Sequence, residues 1–304
     1  MNQVRPPHRK TNPVFGVLLV ILAVGWLAGC GPDTAPTPPK QALQHAWDAF
    51  RLGDYKLALK GFTSVMETPG IDQDLRLQAL HGLATTWDLR RPVATQDDEL
   101  ASTLYRQIMD EAPDHDLAAW SSLALARMTH LVPVGEEPDY DKVRAAYQTV
   151  IDAYPNRIAG QEALLYQQAT LIQTLDPERT RQAIERLQTL VDRKPASVFS
   201  SAAYDLIAQG YETLNQPDRQ LEARIRSLET AEVDPMNPSS SDLSWRYWQI
   251  ATTAEFLAGR FDVARTYYRK LIEEYPLDYR KFGAKQALIR MDRMERELRE
   301  QVAR

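Results

Sequence analysis

Cysteine occurs once in the 304-residue chain, at Cys30. A cysteine thiolate is a strong nucleophile, and a solitary one excludes an internal disulfide and a cysteine-rich zinc site. It ends the run Leu27-Ala28-Gly29-Cys30, where small side chains leave the backbone open to a narrow peptidase cleft. Other residues fall short of a reactive set. Histidines 8, 45, 81, 115 and 130 are scattered, with no His-x-x-x-His or His-Glu-x-x-His pair to hold a metal. No glycine-rich phosphate loop and no Gly-x-Ser-x-Gly occurs. Asp97-Asp98-Glu99, Glu136-Glu137 and Glu273-Glu274 are adjacent carboxylates that point to different faces of a helix, so solvated helix-end charges are expected. The expectation is a non-enzymatic chain with no catalytic residue, metal or cofactor.

The segment before Cys30 has the order of an export signal. Arg5, Arg9 and Lys10 are followed by the apolar run Val14 to Leu27, and then by the small residues. That run is short of the ~20 residues that cross a bilayer as a helix, so a cleaved signal over 1–29 is expected. Leu27-Ala28-Gly29-Cys30 resembles the lipobox of bacterial lipoproteins, and the resemblance implies that the Cys30 thiol receives diacylglycerol before the Gly29–Cys30 bond is cut. Residues 30–39, with prolines at 32, 36, 38 and 39, have too little apolar content to fold and read as an extended tether. No acid directly follows Cys30, which resembles outer-membrane rather than inner-membrane sorting. The membrane is thus an expected partner, through lipid, with the body in the bacterial envelope on the periplasmic face of the outer membrane.

From residue 40 onward apolar residues recur at i, i+3, i+4 in segments of helical length, without sustained alternation. The prolines of this region fall between those segments as stop signals. A repeat emerges on alignment: Ala58, Phe62, Pro69; Ala101, Tyr105, Pro113; Val143, Tyr147, Pro155; Ala183, Leu187, Pro195; Ala223, Ser227, Pro235; Ala264, Tyr268, Pro276. The spacing lies in the range of stacked helical repeats. A small residue lets paired helices approach, and the bulky residue one turn later fills the wedge against the next hairpin. Gly53 and Gly259 supply the positive φ for leaving a first helix. Asp176-Pro177 and Asp242 read as helix starts.

These features resemble the tetratricopeptide repeat: Trp248, Ala254, Gly259, Phe261, Ala264, Tyr268 and Pro276 stand at its signature spacing, and Ala46, Gly53, Tyr55, Ala58 and Phe62 match it in the first unit. The resemblance implies an all-α, right-handed superhelical solenoid of helix-turn-helix repeats. It places five to six hairpins over 40–276 and a C-terminal capping helix over 277–304. Most tryptophans are then expected between hairpins. In repeat register Trp47, Phe50, Arg51, Arg246, Gln249 and Thr253 are candidate groove residues for a protein partner. Ala284, Ala287, Met291, Met294 and Leu298 form the docking stripe of the last helix, with Arg290, Arg293, Arg296 and Arg299 on a solvated face. Ala153-Tyr154-Pro155-Asn156 and Glu274-Tyr275-Pro276-Leu277 look like the outer-membrane β-barrel assembly lipoprotein (BamD-type) family, which implies envelope protein partners. A pilus or polysaccharide secretion lipoprotein and a cell-wall synthase regulator stay open, as does a peptidoglycan-active enzyme. The formal charge of −5, or −8 without residues 1–29, argues against nucleic acid.

Overall fold

In the computed structural model the described residues are 37–90, 95–133, 135–193, 196–232 and 242–302. The signal segment, Gly29, Cys30, most of the tether, Pro195 and Pro235 lie outside them. The chain divides into two units, Met1–Pro38 and Pro39–Arg304. The second is built of helical hairpins, six among the described residues. They pair α1 (Pro39–Arg51) with α2 (Tyr55–Met66), α3 (Gln73–Leu89) with α4 (Thr95–Glu111), and α5 (Asp116–Met128) with α6 (Tyr140–Ala153). Next come α7 (Ile158–Ile172) with α8 (Pro177–Val191), and α9 (Ser200–Thr213) with α10 (Pro217–Glu229). In the sixth, α11 (Ser244–Thr252) runs into a π turn (Thr253–Leu257) before α12 (Phe261–Glu274), and α13 (Arg280–Val302) follows. No strand occurs among the described residues, so the fold is the all-α hairpin array expected.

Each helix packs on the next, and the odd helices α1, α3, α5 and α7 also touch the following odd helix, while successive even helices do not meet to that extent. The odd helices therefore form the tighter, inner layer. The aligned residues make this packing possible. Ala58, Ala101, Val143, Ala183, Ala223 and Ala264 are buried, as are Phe62, Tyr105, Tyr147, Leu187, Ser227 and Tyr268 one turn on. The Phe62 ring lies against Gly82 of the next hairpin, where a Cβ would come within 2.4 Å of it. Burial of each such large side chain stabilises by about 1.5–3 kcal/mol. The core is a string of clusters between neighbouring hairpins rather than one centre.

The turn inside a hairpin recurs as well. The residue two before the even helix has positive φ in four hairpins: Gly53 (78°), Leu175 (57°), Asn215 (52°) and Gly259 (65°). Helix starts are capped by Asp54, which accepts from Leu57 N at 3.0 Å, and by Asp176, which accepts from Arg179 N at 2.8 Å. Asp242 accepts from Ser244 N at 2.9 Å. On α13, Ala284, Ala287 and Met291 are buried, but Met294 and Leu298 emerge into solvent, so only the first half of the stripe docks.

Candidate binding surface

The residues singled out in the first hairpin do not form an open groove. Trp47 meets Phe62 edge-on at 4.9 Å between ring centroids and Phe50 at 5.6 Å, while Phe50 meets Tyr55 at 5.7 Å. Both are half-buried between α1 and α2, where burying aromatic area outweighs presenting it. Arg51 is exposed and paired to Asp48 on its own helix. In the sixth hairpin, Arg246 and the half-buried Gln249 line a cleft on the odd-helix side. Thr253 is buried instead, because the π turn that starts there adds a residue and rotates it inward.

A polar arrangement that the sequence reading did not foresee recurs along the odd-helix layer. Asp88 on α3 accepts from Arg127 Nη2 on α5 at 2.6 Å and from the Tyr105 hydroxyl on α4 at 3.2 Å. Asp205 on α9 accepts from the Ser227 hydroxyl on α10 at 2.6 Å and pairs with Arg246 Nη2 on α11 at 3.1 Å. Glu255 in the π turn accepts from the Tyr268 hydroxyl on α12 at 2.9 Å and from Arg290 Nε on α13 at 2.9 Å. Each set joins an acid on one odd helix, an arginine on the next odd helix and a hydroxyl on the even helix between. Tyr105, Ser227 and Tyr268 occupy the same aligned repeat position. Ser227 stands where other units have a large residue, and the Arg246 guanidinium bonds to its hydroxyl.

In these clasps the acid is the hidden partner twice: Asp88 and Glu255 side chains are 2% and 3% exposed, against 41% for Arg127 and 37% for Arg290. Burial and the neighbouring carboxylate hold the Tyr105 and Tyr268 hydroxyls well above the usual tyrosine range, so both stay protonated donors. Arg290, expected on a solvated face, is thus a link between α13 and the sixth hairpin. Asp97, expected to be solvated, is 2% exposed and accepts from Arg90 Nε and Nη2, both at 2.6 Å. The hairpins whose aligned residue is Phe62 or Leu187 have no hydroxyl to offer. Tyr147 turns its hydroxyl toward His130 Nδ1 at 3.4 Å and stacks on the exposed Tyr166 of α7.

The inner layer therefore presents oriented guanidinium groups beside aromatic rings, with the charges of Arg127, Arg246 and Arg290 paired to neighbouring carboxylates. That arrangement suits recognition. Among the described residues no cluster of three or more His, Cys, Asp or Glu could hold a metal ion, and no helix is long and apolar enough to cross a membrane.

Residues 247–278, the body of the sixth hairpin, match the sequence profile of the tetratricopeptide repeat. No curated protein matches the chain in sequence. Among solved structures the chain is similar to a tetratricopeptide repeat protein from Parabacteroides merdae, at 12% identity and a TM-score of 0.44 over 84% of each chain. It is also similar to a thermophilic tetratricopeptide repeat protein from Thermus thermophilus, at 16% identity and a TM-score of 0.28, over 83% of this chain and 100% of that one. The chain is an all-α array of helical hairpins whose residues 247–278 are similar to a tetratricopeptide repeat.

Proposed function

We propose that this chain is a lipid-anchored scaffold of the bacterial envelope that binds protein partners along the inner, odd-helix layer of its array. The observation that carries the reading is the recurrence of the acid–hydroxyl–arginine clasp, which fixes guanidinium groups on that layer. Rigid, pre-oriented arginines next to exposed aromatics lower the ordering cost of binding a partner. Leu27-Ala28-Gly29-Cys30 supports anchoring by acyl chains on Cys30, each buried methylene adding about 0.8 kcal/mol. The Tyr-Pro segments at 154–155 and 275–276 support a setting in outer-membrane β-barrel assembly.

A photoreactive amino acid placed at Tyr166 on α7, compared with one at Arg106 on the outer helix α4, tests the binding face in intact cells. The expected result is crosslinked envelope proteins from position 166 and none from 106; the reverse pattern refutes it. Cys30→Ser is expected to leave the precursor uncleaved in the inner membrane. An unmodified Cys30 in the membrane form of the wild-type protein refutes the anchor.

A further inference from the structure

The cleft between α9 and α11 encloses about 400 Å³ and differs from the other clefts of the array. Asp205, Gln209 and Glu212 line it from α9, Arg246 and Gln249 from α11, and Arg224 reaches it from α10. Its charges cancel in pairs: Arg246 with Asp205 at 3.1 Å and Arg224 with Glu212 at 3.4 Å. An anionic side chain entering here competes with two carboxylates already in place, and a cationic one competes with two guanidinium groups. The cleft therefore selects for neither sign. What it offers is a dense alternation of N–H donors and oxygen acceptors, with two carboxamides that supply both.

At its lip stands Trp245, whose residue surface is 52% exposed. The indole is nonetheless braced. The Arg280 guanidinium lies 5.3 Å from its ring centroid, and Arg280 is only 12% exposed, held by Asp278 at 2.6 Å and by the Ser244 hydroxyl at 2.7 Å. A fixed, half-exposed indole is a flat apolar platform with little left to order on binding. The comparable cleft on the outer side, between α8 and α10, is lined by Arg219, Glu222 and Arg226 around tyrosines and has no exposed indole.

We propose that the α9–α11 cleft binds an uncharged glycan: a β-1,4-linked chain of hexopyranose units, with one ring stacked on Trp245 and its hydroxyls on Asp205, Gln209, Arg246 and Gln249. In the gluco configuration every ring substituent is equatorial, so the faces of such rings are flat and rich in C–H, which matches the indole. Their vicinal hydroxyls each donate and accept, which matches paired carboxylate and guanidinium groups. A volume in the range of small-ligand sites, about 300–1,000 Å³, accommodates a unit or two of the chain. The inference goes beyond the scaffold reading and is independent of the lipid on Cys30.

The test is titration of the soluble body, residues 39–304 being one compact unit, with cellohexaose and with hexa-N-acetylchitohexaose, followed by calorimetry and tryptophan fluorescence. At least one oligosaccharide should bind saturably at millimolar concentration or below. Trp245→Ala should weaken that binding by about tenfold or more and abolish the fluorescence change, with Gln249→Leu weakening it too. Arg219→Ala, in the outer cleft, should bind as wild type. Circular dichroism melts confirm that each variant folds, and Gln249→Leu keeps the test open should Trp245→Ala not fold. Absence of binding to both oligosaccharides, or binding unchanged in the Trp245 and Gln249 variants, overturns the proposal. Loss of a crosslinked protein partner in Trp245→Ala, with no oligosaccharide bound, also overturns it and assigns the cleft to a protein. A failure here leaves crosslinking from position 166 unaffected, so the two readings fail separately.

Discussion

Replacing Arg290 by methionine is expected to destabilise the C-terminal end of the array more than replacing its partner, although Arg290 is the more exposed of the two. The Glu255 carboxylate is 3% exposed and keeps only the Tyr268 hydroxyl once the guanidinium is gone. Breaking a buried pair so that one charge remains inside costs about 3–5 kcal/mol. In Glu255→Gln the charge left over is on Arg290, which is 37% exposed and reaches water, while the glutamine oxygen still accepts from Tyr268. That change loses a charge-assisted hydrogen bond, about 1.5–3 kcal/mol. Because a repeat array unfolds by neighbouring units, the assay is hydrogen exchange of α11 to α13 together with urea denaturation. Equal destabilisation of the two variants, or a larger effect of Glu255→Gln, refutes the assignment of Glu255 as the hidden partner.

Leu175 has a left-handed backbone at φ 57° and is 70% exposed, so Leu175→Gly should stabilise by about 1 kcal/mol, because an L residue pays roughly 1–2 kcal/mol in that region; a lower denaturation midpoint counts against it. Ala264 is fully buried where α12 meets α11, and Ala264→Leu should cost about 1–3 kcal/mol by overpacking, against at most about 0.5 kcal/mol for Arg299→Ala, both read from the urea midpoint. Burial lowers His81 from its ordinary value of 6.5 to about 4, so the unfolded chain takes up a proton in that window and the folded one does not. Stability should therefore fall by about 3 kcal/mol as pH drops from 6.5 to 4, and His81→Gln should remove that component; identical pH profiles would exclude it.

The parts of this molecule that could be read from sequence are those set by one residue type at one spacing. Ala101, Ala183 and Ala264 are small because two helices must touch there, and the one departure among the aligned residues, Val143, is still a compact side chain. The turn before the even helix was visible at Gly53 and Gly259, where glycine announces positive φ. It was hidden at Leu175 and Asn215, since nothing about a leucine signals a left-handed backbone. The clasps were illegible for another reason: their members lie 13 to 41 residues apart, on three helices, and each alone looks like an ordinary surface charge. Only the hydroxyl sits at a fixed repeat position. A sequence search for acid and arginine flanking an aligned Tyr or Ser could find the pattern, but the acid's place on its helix differs between units.

That difference bears on why the period is irregular. A repeat held by apolar packing alone requires each unit to place the same volumes at the same positions, so insertions that shift the register are costly. A carboxylate and a guanidinium on a long side chain tolerate such shifts, because Arg246 can reach Ser227 and Asp205 where a phenyl ring would not fill the gap left by serine. In the sixth hairpin the π turn brings Glu255 to where Arg290 can meet it. The clasps thus stand at places where the apolar repeat departs from regularity: the serine of the fifth hairpin, the π turn of the sixth, and the buried Asp88 beside the α3–α4 connection. Polar linkage of one odd helix to the next lets the inner layer stay continuous across units whose lengths vary, and it leaves arginines at the surface of that layer as a consequence of how the layer is joined.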